Sequence, residues 1–410
     1  MANTLANSEW VTKEVARGFT NNLGFLKHVS KTYDDQYKIN GAKVGRTVNA
    51  RLPQRFQAAD GEALQPSNLF DQTVPITLTN QKQVSMAWSS AQATTELDSI
   101  RERYTRPAAE TLANAADVHA YGAVYKDVYQ NVGTPGTTPS TLLTYLQAGV
   151  KLTDAAVTTS RRWAILDPMA MATIANTGST MFNSAASDNA LKNGSFSGKL
   201  LGLDGWDIDP NNPKHTTGTF TASTPVVNGA SQTGTSLVTS GWASGATSLK
   251  KGDTFRISGV YSINPLSYAS TGRLQDFVVG ADATDTTGAI TLTISPGIIT
   301  SGQLATVDSS PANNASILYS GATSATGGTL ATTVSPQSMI FHPDAFAFVM
   351  ADLVQPTAGA ESTVVRSKAL GLSIRMVEQY QIGSDQNPTR LDILIGAATV
   401  QARLAARVWG

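Results

Sequence analysis

The 410-residue sequence predicts an α+β fold with an all-β barrel inserted into it. Three observations predict this. Mixed strand and helix text runs up to about residue 215 and resumes after Pro336. The intervening stretch, 216–336, holds nine charged residues and consists mostly of Thr, Ser, Gly, Ala and Val. Before it, residues 94–152 carry the period of helices rather than strands.

The elements follow in order. Residues 1–35 read as a helical arm: Ser8 can cap, and Val11, Val15 and Phe19 recur every four residues, with Lys13, Glu14 and Arg17 on other faces. Residues 36–93 read as an extended hairpin, with strands at Lys43–Leu52 and Val74–Trp88 and a long polar tip, Pro53–Gln72, between them. A tip of that length without structure of its own is usually functional, and a two-stranded arm needs a partner surface.

Residues 94–158 contain the helices. Leu97, Ile100 and Tyr104 share one face, and Pro107 suits a first helical turn. The alanine-rich run Ala108–Val128 then reads as a long central helix. After the breakers Gly133, Pro135, Gly136 and Pro139, a further helix spans about Ser140–Leu152, with Leu142, Leu143, Leu146 and Val150 as its apolar residues.

Residues 159–215 and 337–410 form the α+β domain. Arg162–Leu166, the turn and strand within Gly198–Ile208, Met339–Pro343, Leu372–Met376 and Leu391–Ile395 are its strands. Asp167-Pro168 opens a helix, and Ala345–Met350 reads as a short buried one. Within 216–336, apolar runs at Phe255–Val260, Phe277–Val279 and Ile317–Tyr319 alternate with turns. Ile290, Leu292 and Ile294 alternate with threonines, the pattern of a small barrel or sandwich.

Composition excludes several functions. Cysteine is absent, which removes disulfides, cysteine nucleophiles and thiolate metal sites. Thirty basic residues balance thirty acidic ones, so tight binding driven by phosphate neutralisation is not expected. Charged residues make up 15% of the chain, against about 25% in ordinary domains. A surface so sparsely charged can be buried against other chains with little desolvation of ions. The first ten residues have neither a basic nor an apolar region of a signal peptide, and no run is long enough to span a membrane.

Catalytic and metal templates fail. Gly194–Leu200 imitates a phosphate loop but has three residues between its glycines and Leu200 where Ser or Thr is needed. Asp207, Asp209 and Asn211 imitate a calcium loop, yet Asn212 and Gly218 stand where Gly and Glu belong. His28, His119, His215 and His342 are unpaired in sequence, and His119 reads as a packed residue of the long helix. The expectation is a protein with no cofactor, no metal and no enzymatic activity.

Several segments carry a family resemblance. Lys199-Leu-Leu-Gly-Leu-Asp-Gly-Trp-Asp-Ile208 is similar to a strand entry common in coat proteins. Met339-Ile-Phe-His-Pro-Asp-Ala-Phe-Ala-Phe348 with Val349-Met-Ala-Asp-Leu353 resembles the point where the chain re-enters the main domain. Leu249-Lys-Lys-Gly-Asp-Thr-Phe-Arg-Ile-Ser-Gly-Val260 is similar to a strand start in an inserted barrel. With the order of elements, these resemble the major capsid proteins of tailed bacteriophages, which share the Hong-Kong-ninety-seven coat fold, and above all the gene-five-type coat proteins of short-tailed phages.

The resemblance implies a virion protein that self-assembles into icosahedral hexamers and pentamers in the host cytoplasm. Its partners would be itself, a scaffolding protein, a portal and packaged double-stranded DNA touched weakly and without sequence specificity. It implies that 36–93 is an E-loop-like arm over a neighbouring subunit, Pro107–Val128 a spine helix, 94–158 the spine with peripheral helices, and 159–215 with 337–410 an axial domain. Contacts with neighbouring copies are expected at Trp10, Arg51, Arg55, Phe56, Asp60, Glu62 and Phe70. Some relatives cross-link their arms through a lysine–asparagine isopeptide bond. Pro53–Gln72 contains no lysine, so a noncovalent network is expected here. A rival reading is an adhesive surface protein whose barrel binds glycans through exposed Trp242, Tyr261 and Tyr268.

Overall fold

The computed structural model describes residues 23–30, 47–58, 61–62, 68–89, 106–181, 199–219, 224–242, 247–284, 288–319, 332–356, 359–367 and 372–410. Its elements run β1 (Thr47–Arg51), β2 (Thr73–Thr77), β3 (Asn80–Ser89), α1 (Arg106–Val124), β4 (Asn131–Val132), α2 (Leu142–Asp154), β5 (Trp163–Leu166), α3 (Pro168–Met181), β6 (Gly205–Ile208) and β7 (Lys214–Thr216). Then come β8 (Val226–Val227), β9 (Gly234–Ser240), β10 (Thr247–Leu249), β11 (Thr254–Ile263), β12 (Ser270–Val279), β13 (Ala283–Thr284), β14 (Ala289–Ile298) and β15 (Ile317–Tyr319). The chain finishes with β16 (Val334–Phe341), β17 (Phe346–Ala351), β18 (Glu361–Ser367), β19 (Leu372–Glu378), β20 (Gln386–Thr399) and β21 (Ala405–Trp409). Two compact units result: Met1–Arg51, Thr73–Ala123 and Phe346–Val400 form one, and Leu52–Gln72, Val124–Ala345 and Gln401–Gly410 the other.

In the first unit the long strand β20 is central. It pairs antiparallel with β3 along Gln386–Ile395, with β19 over Thr389–Asp392 and with β17 over Leu394–Thr399. Helix α1 buries Ala108, Ala109, Leu112, Ala113, Ala116, Ala120 and Tyr121, a stripe small enough for close backbone approach. Phe25 stacks on Tyr121 with ring centroids 4.5 Å apart and meets Phe346 at 5.5 Å. Asp117, buried on the same helix, accepts hydrogen bonds from the Phe25 and Leu26 amides at 3.2 and 2.8 Å. A second buried carboxylate, Asp392, accepts from Gln81 and pairs with Arg375 and Arg390.

Two expectations change here. Val74–Trp88 is two strands, not one: β2 pairs with β1 over five residues, and β3 turns away to join β20. The two-stranded arm is therefore short. Ala345–Met350 is not a helix, because Phe346–Ala351 is strand β17, buried along most of its length. A continuous apolar run of six has no periodicity to tell helix from strand. Helix α1 begins at Arg106 and gives way to a 3-10 turn at Tyr125–Asp127, and Leu97, Ile100 and Tyr104 lie outside the described residues.

In the second unit a mixed sheet runs β4-β21-β16-β5-β6, with β7 also paired to β16. Helix α2 lays Leu142, Tyr145, Ala148 and Leu152 inward, and Tyr145 meets Trp206 of β6 at 5.8 Å. The barrel strands order as β15-β11-β12-β14-β9-β8. A bridge between Val226 and Ser316, with the Val227 amide donating to the Ala315 carbonyl at 2.9 Å, draws β8 back to the start of β15. Closure of this kind removes the exposed edges of an open sheet. Leu237, Trp242, Phe255, Ile257, Phe277, Leu292, Ile294 and Val307 fill the interior.

Exit and entry of the barrel are held together. Strands β7 and β16 pair from Val334↔Thr216 to Pro336↔Lys214. Beside them Asp253, fully buried, meets His215 Nε2 at 2.8 Å and accepts from the Gly218 and Lys250 amides at 2.9 and 2.8 Å. Arg407 of β21, also fully buried, donates to the Gly252 carbonyl at 2.7 Å and lies 5.1 Å from the Trp409 ring centre. Burial pushes its guanidinium down to about 10, and nearby Asp253 opposes that. Gly252 has φ +99°, and a Cβ there would come 3.1 Å from the His215 ring, so the Lys-Lys-Gly-Asp turn needs its glycine.

A second joint centres on Asp276 of β12. It pairs with Lys151 of α2, and with Arg256 of β11 at 2.6 Å, while Lys151 also donates to the Asn131 carbonyl at 2.6 Å. Burial alone would raise the Asp276 carboxyl, but Lys151 and then Arg256 overcome this and hold it below its usual 3.8.

Two predictions follow from these contacts. Asp117→Ala strands two buried amides and should destabilise the dilute protein by about 2–4 kcal/mol in urea titration, whereas an exposed control such as Thr111→Ala should change it by less than about 0.5 kcal/mol. For Asp276 the folded pKa lies below the unfolded one. Its contribution is present in full above the unfolded value and lost as pH falls through the folded one. Wild-type stability should therefore drop more steeply below about pH 4 than that of Asp276→Asn, which should already be weaker at neutral pH. Parallel acid titrations would refute the assignment.

Candidate functional site

The tip between β1 and β2 concentrates exposed apolar side chains. Phe56, Leu69 and Phe70 are 60%, 75% and 47% exposed. The Leu52 amide donates to the Gln72 carbonyl at 2.9 Å, and the Phe70 amide donates to Gln54 Oε1 at 3.1 Å, so the base of the tip is tied while the phenyl rings point outward. Three large exposed apolar groups on one tip cost solvation unless something covers them.

The residues expected to contact neighbours are placed as follows. Arg51 ends β1 with its side chain exposed, and Glu62 is exposed on the tip. Arg55 is half-buried and turns toward a cavity instead of outward. The Phe56 carbonyl lies 3.5 Å from the Tyr268 hydroxyl of the barrel. Trp10 and Asp60 lie outside the described residues.

A second exposed apolar surface lies on α2. Leu143, Leu146 and Val150 are 61%, 40% and 37% exposed, and spacings of three and four place them on one face. The sequence names them together with Leu142 as the apolar residues of this helix. In the structure Leu142 belongs to the opposite, buried face with Tyr145, Ala148 and Leu152. The helix is thus apolar on two sides, and the signal was there in the surplus of leucines. No charged residue occurs between Val128 and Val150.

The Arg55 cavity has a volume of about 80 Å³ and is walled by the tip, α2, the barrel strands and the segment before β21. Arg403, one of its walls, donates to the Ala155 carbonyl at 3.0 Å and to Gln401 Oε1 at 3.1 Å. Burial and then the neighbouring Arg55 charge both push its guanidinium down.

Other motifs resolve structurally. Asp209 Oδ1 accepts from the Asn211 amide at 2.8 Å, a capped turn in place of a calcium loop. Among the described residues no group of three potential ligands could hold a metal ion. His119 is half-buried, bonded to Asn80 at 2.9 Å, and held below its usual value by burial and then Lys82. Trp242 is core: its indole donates to Thr239 Oγ1 at 2.8 Å inside the barrel. That removes it from any glycan groove. Tyr268 is half-buried and donates to the Gln303 carbonyl at 3.0 Å, while Tyr261 is 37% exposed. Gly194–Gly198 of the phosphate-loop imitation lie outside the described residues.

Comparison with known proteins completes the picture. The family described as "P22 coat protein - gene protein 5" matches residues 1–406. No curated protein sequence matches significantly. Among solved structures, one from Mycobacterium phage Che8 is 11% identical with a TM-score of 0.46, covering 94% of this chain and 90% of that one. The bacteriophage PhiM1 mature capsid is 7% identical with a TM-score of 0.41, over 94% and 86%. The CUS-3 coat protein I-domain is 25% identical with a TM-score of 0.19, over 25% of this chain and 98% of that one. On the family match, which spans nearly every residue, the chain belongs to the P22 coat protein family and is a bacteriophage major capsid protein, a structural subunit that self-associates into the virion shell.

Proposed function

We propose that this subunit builds an icosahedral shell around packaged double-stranded DNA through a noncovalent network in which the tip of one copy lies over the next. The observation that carries the reading is the exposure of Phe56, Leu69 and Phe70 on a tip with no lysine for a covalent link. Arg51 and Glu62 flank these rings and would set register in the contact, as charges at an interface rim do; Trp10 and Asp60 belong to the same proposal, whereas Arg55 faces the cavity and is not counted among these contacts. The outer stripe of α2 is a second self-association surface, apolar and poor in charge, as the cores of interfaces are.

On this reading the protein has no enzymatic role. Its further partners are a scaffolding protein and a portal, and it is assembled in the host cytoplasm without a membrane. Net charge zero suits a shell that must enclose DNA without gripping it. The division into helical arm (1–35), extended arm (36–93), spine and peripheral helices (94–158), axial domain (159–215 and 337–410) and inserted barrel (216–336) is part of the same proposal.

Deleting Arg55–Leu69 while keeping β1 and β2 should leave a folded, soluble monomer that no longer assembles. Negative-stain microscopy and sedimentation would show this, and wild-type-like shells from the deletion would sink the tip assignment. Leu146→Glu on α2 should leave urea stability within about 0.5 kcal/mol, as for exposed sites. It should raise the concentration needed for assembly at least tenfold, about 1.4 kcal/mol per subunit contact, and an unchanged assembly threshold would exclude the stripe as an interface.

A further inference from the structure

The charges lining the Arg55 cavity do not balance. Arg55, Lys151, Arg273 and Arg403 face Asp154 and Asp276. Both carboxylates are already engaged. Asp276 pairs with Lys151 and Arg256, and Asp154 pairs with Arg273 at 3.0 Å. Arg403 is satisfied only by neutral oxygens, those of Ala155 and Gln401. Arg55 makes no hydrogen bond or ion pair among the described residues. Two guanidinium groups therefore approach one cavity with no carboxylate paired to either among the described residues.

Like charges held together in a partly desolvated space are unfavourable, and the cheapest relief is an anion between them. The cavity volume of about 80 Å³ is roughly five times the minimum that holds one water, enough for a single tetrahedral oxyanion. The guanidinium fork matches two oxygens of such a group at once. We propose that this cavity is a phosphate-group binding site, with Arg55 and Arg403 as its ligands. The phosphate could be free in solution or part of a nucleic-acid backbone, since both present the same oxygens.

Phosphorus NMR of the full-length, unassembled subunit tests this directly. Inorganic phosphate titrated at constant ionic strength, with chloride as the balancing anion, should show saturable line broadening and raise the melting temperature above the chloride control. Arg55→Gln should weaken phosphate binding at least tenfold. It should leave the fold intact, since Arg55 makes no hydrogen bond or ion pair among the described residues. Arg403→Gln should weaken phosphate binding as much, and Arg51→Gln, exposed on β1, should leave phosphate binding unchanged. Broadening that does not saturate, or that survives Arg55→Gln undiminished, would overturn the proposal. A short DNA duplex added to the phosphate-loaded protein identifies the source: competition, with the broadening lost, assigns a backbone phosphate, and persistence at saturating duplex assigns the free ion.

Discussion

Everything in the second unit depends on how a 120-residue excursion is returned to the sheet it left. The solution is a buried carboxylate. Asp253 receives a histidine from β7 and two backbone amides, one on each side of the barrel entrance, with Arg407 of β21 donating to the adjacent carbonyl. Burying a carboxylate this deep is costly unless its oxygens are engaged, and both oxygens of Asp253 are, so the joint favours one arrangement of barrel and sheet. Asp276 repeats the device on the α2 side with a lysine and an arginine. The barrel strands close on one another around an apolar interior of their own.

The first unit uses the same chemistry for a different purpose. Asp117 turns a helix built for close packing into a receptor for the short turn at Phe25–Lys27, and Asp392 gathers Gln81, Arg375 and Arg390 onto the central strand. In both units a side chain that is expensive to bury marks where segments distant in sequence must meet.

That explains what was legible in the sequence. The alternation of Ile290, Leu292 and Ile294 with threonine forecast the buried pattern of β14, because one face of a strand follows period two. The alanine stripe forecast α1 for the corresponding reason at period 3.6. The Lys-Lys-Gly-Asp stretch was legible as a turn before the strand at Phe255, but its role as an anchor needed the position of His215 in space. Phe346–Ala351 was unreadable, because burial on both faces erases the period. The break at Leu78–Thr79 was hidden too, since two adjacent strands with different partners look like one. The Arg55 cavity draws its six charges from residues 55, 151, 154, 273, 276 and 403, spacings that no local pattern can connect.

The sparse charge of the chain acquires a physical meaning from where its ions sit. Asp117, Arg162, Asp209, Asp253, Asp276, Asp392 and Arg407 are all buried, so part of an already small supply is withdrawn from the surface. Of the nine charges in 216–336, Asp253, Asp276 and Arg256 serve the two joints. The exterior is left correspondingly neutral, and the exposed rings of the tip and the leucines of α2 are not fenced by strong like charges. For a subunit whose neighbours are copies of itself this matters, because any surface charge meets its own sign wherever identical patches face one another. Spending ions on internal joints fixes the shape of each subunit and at the same time lowers the cost of bringing two together.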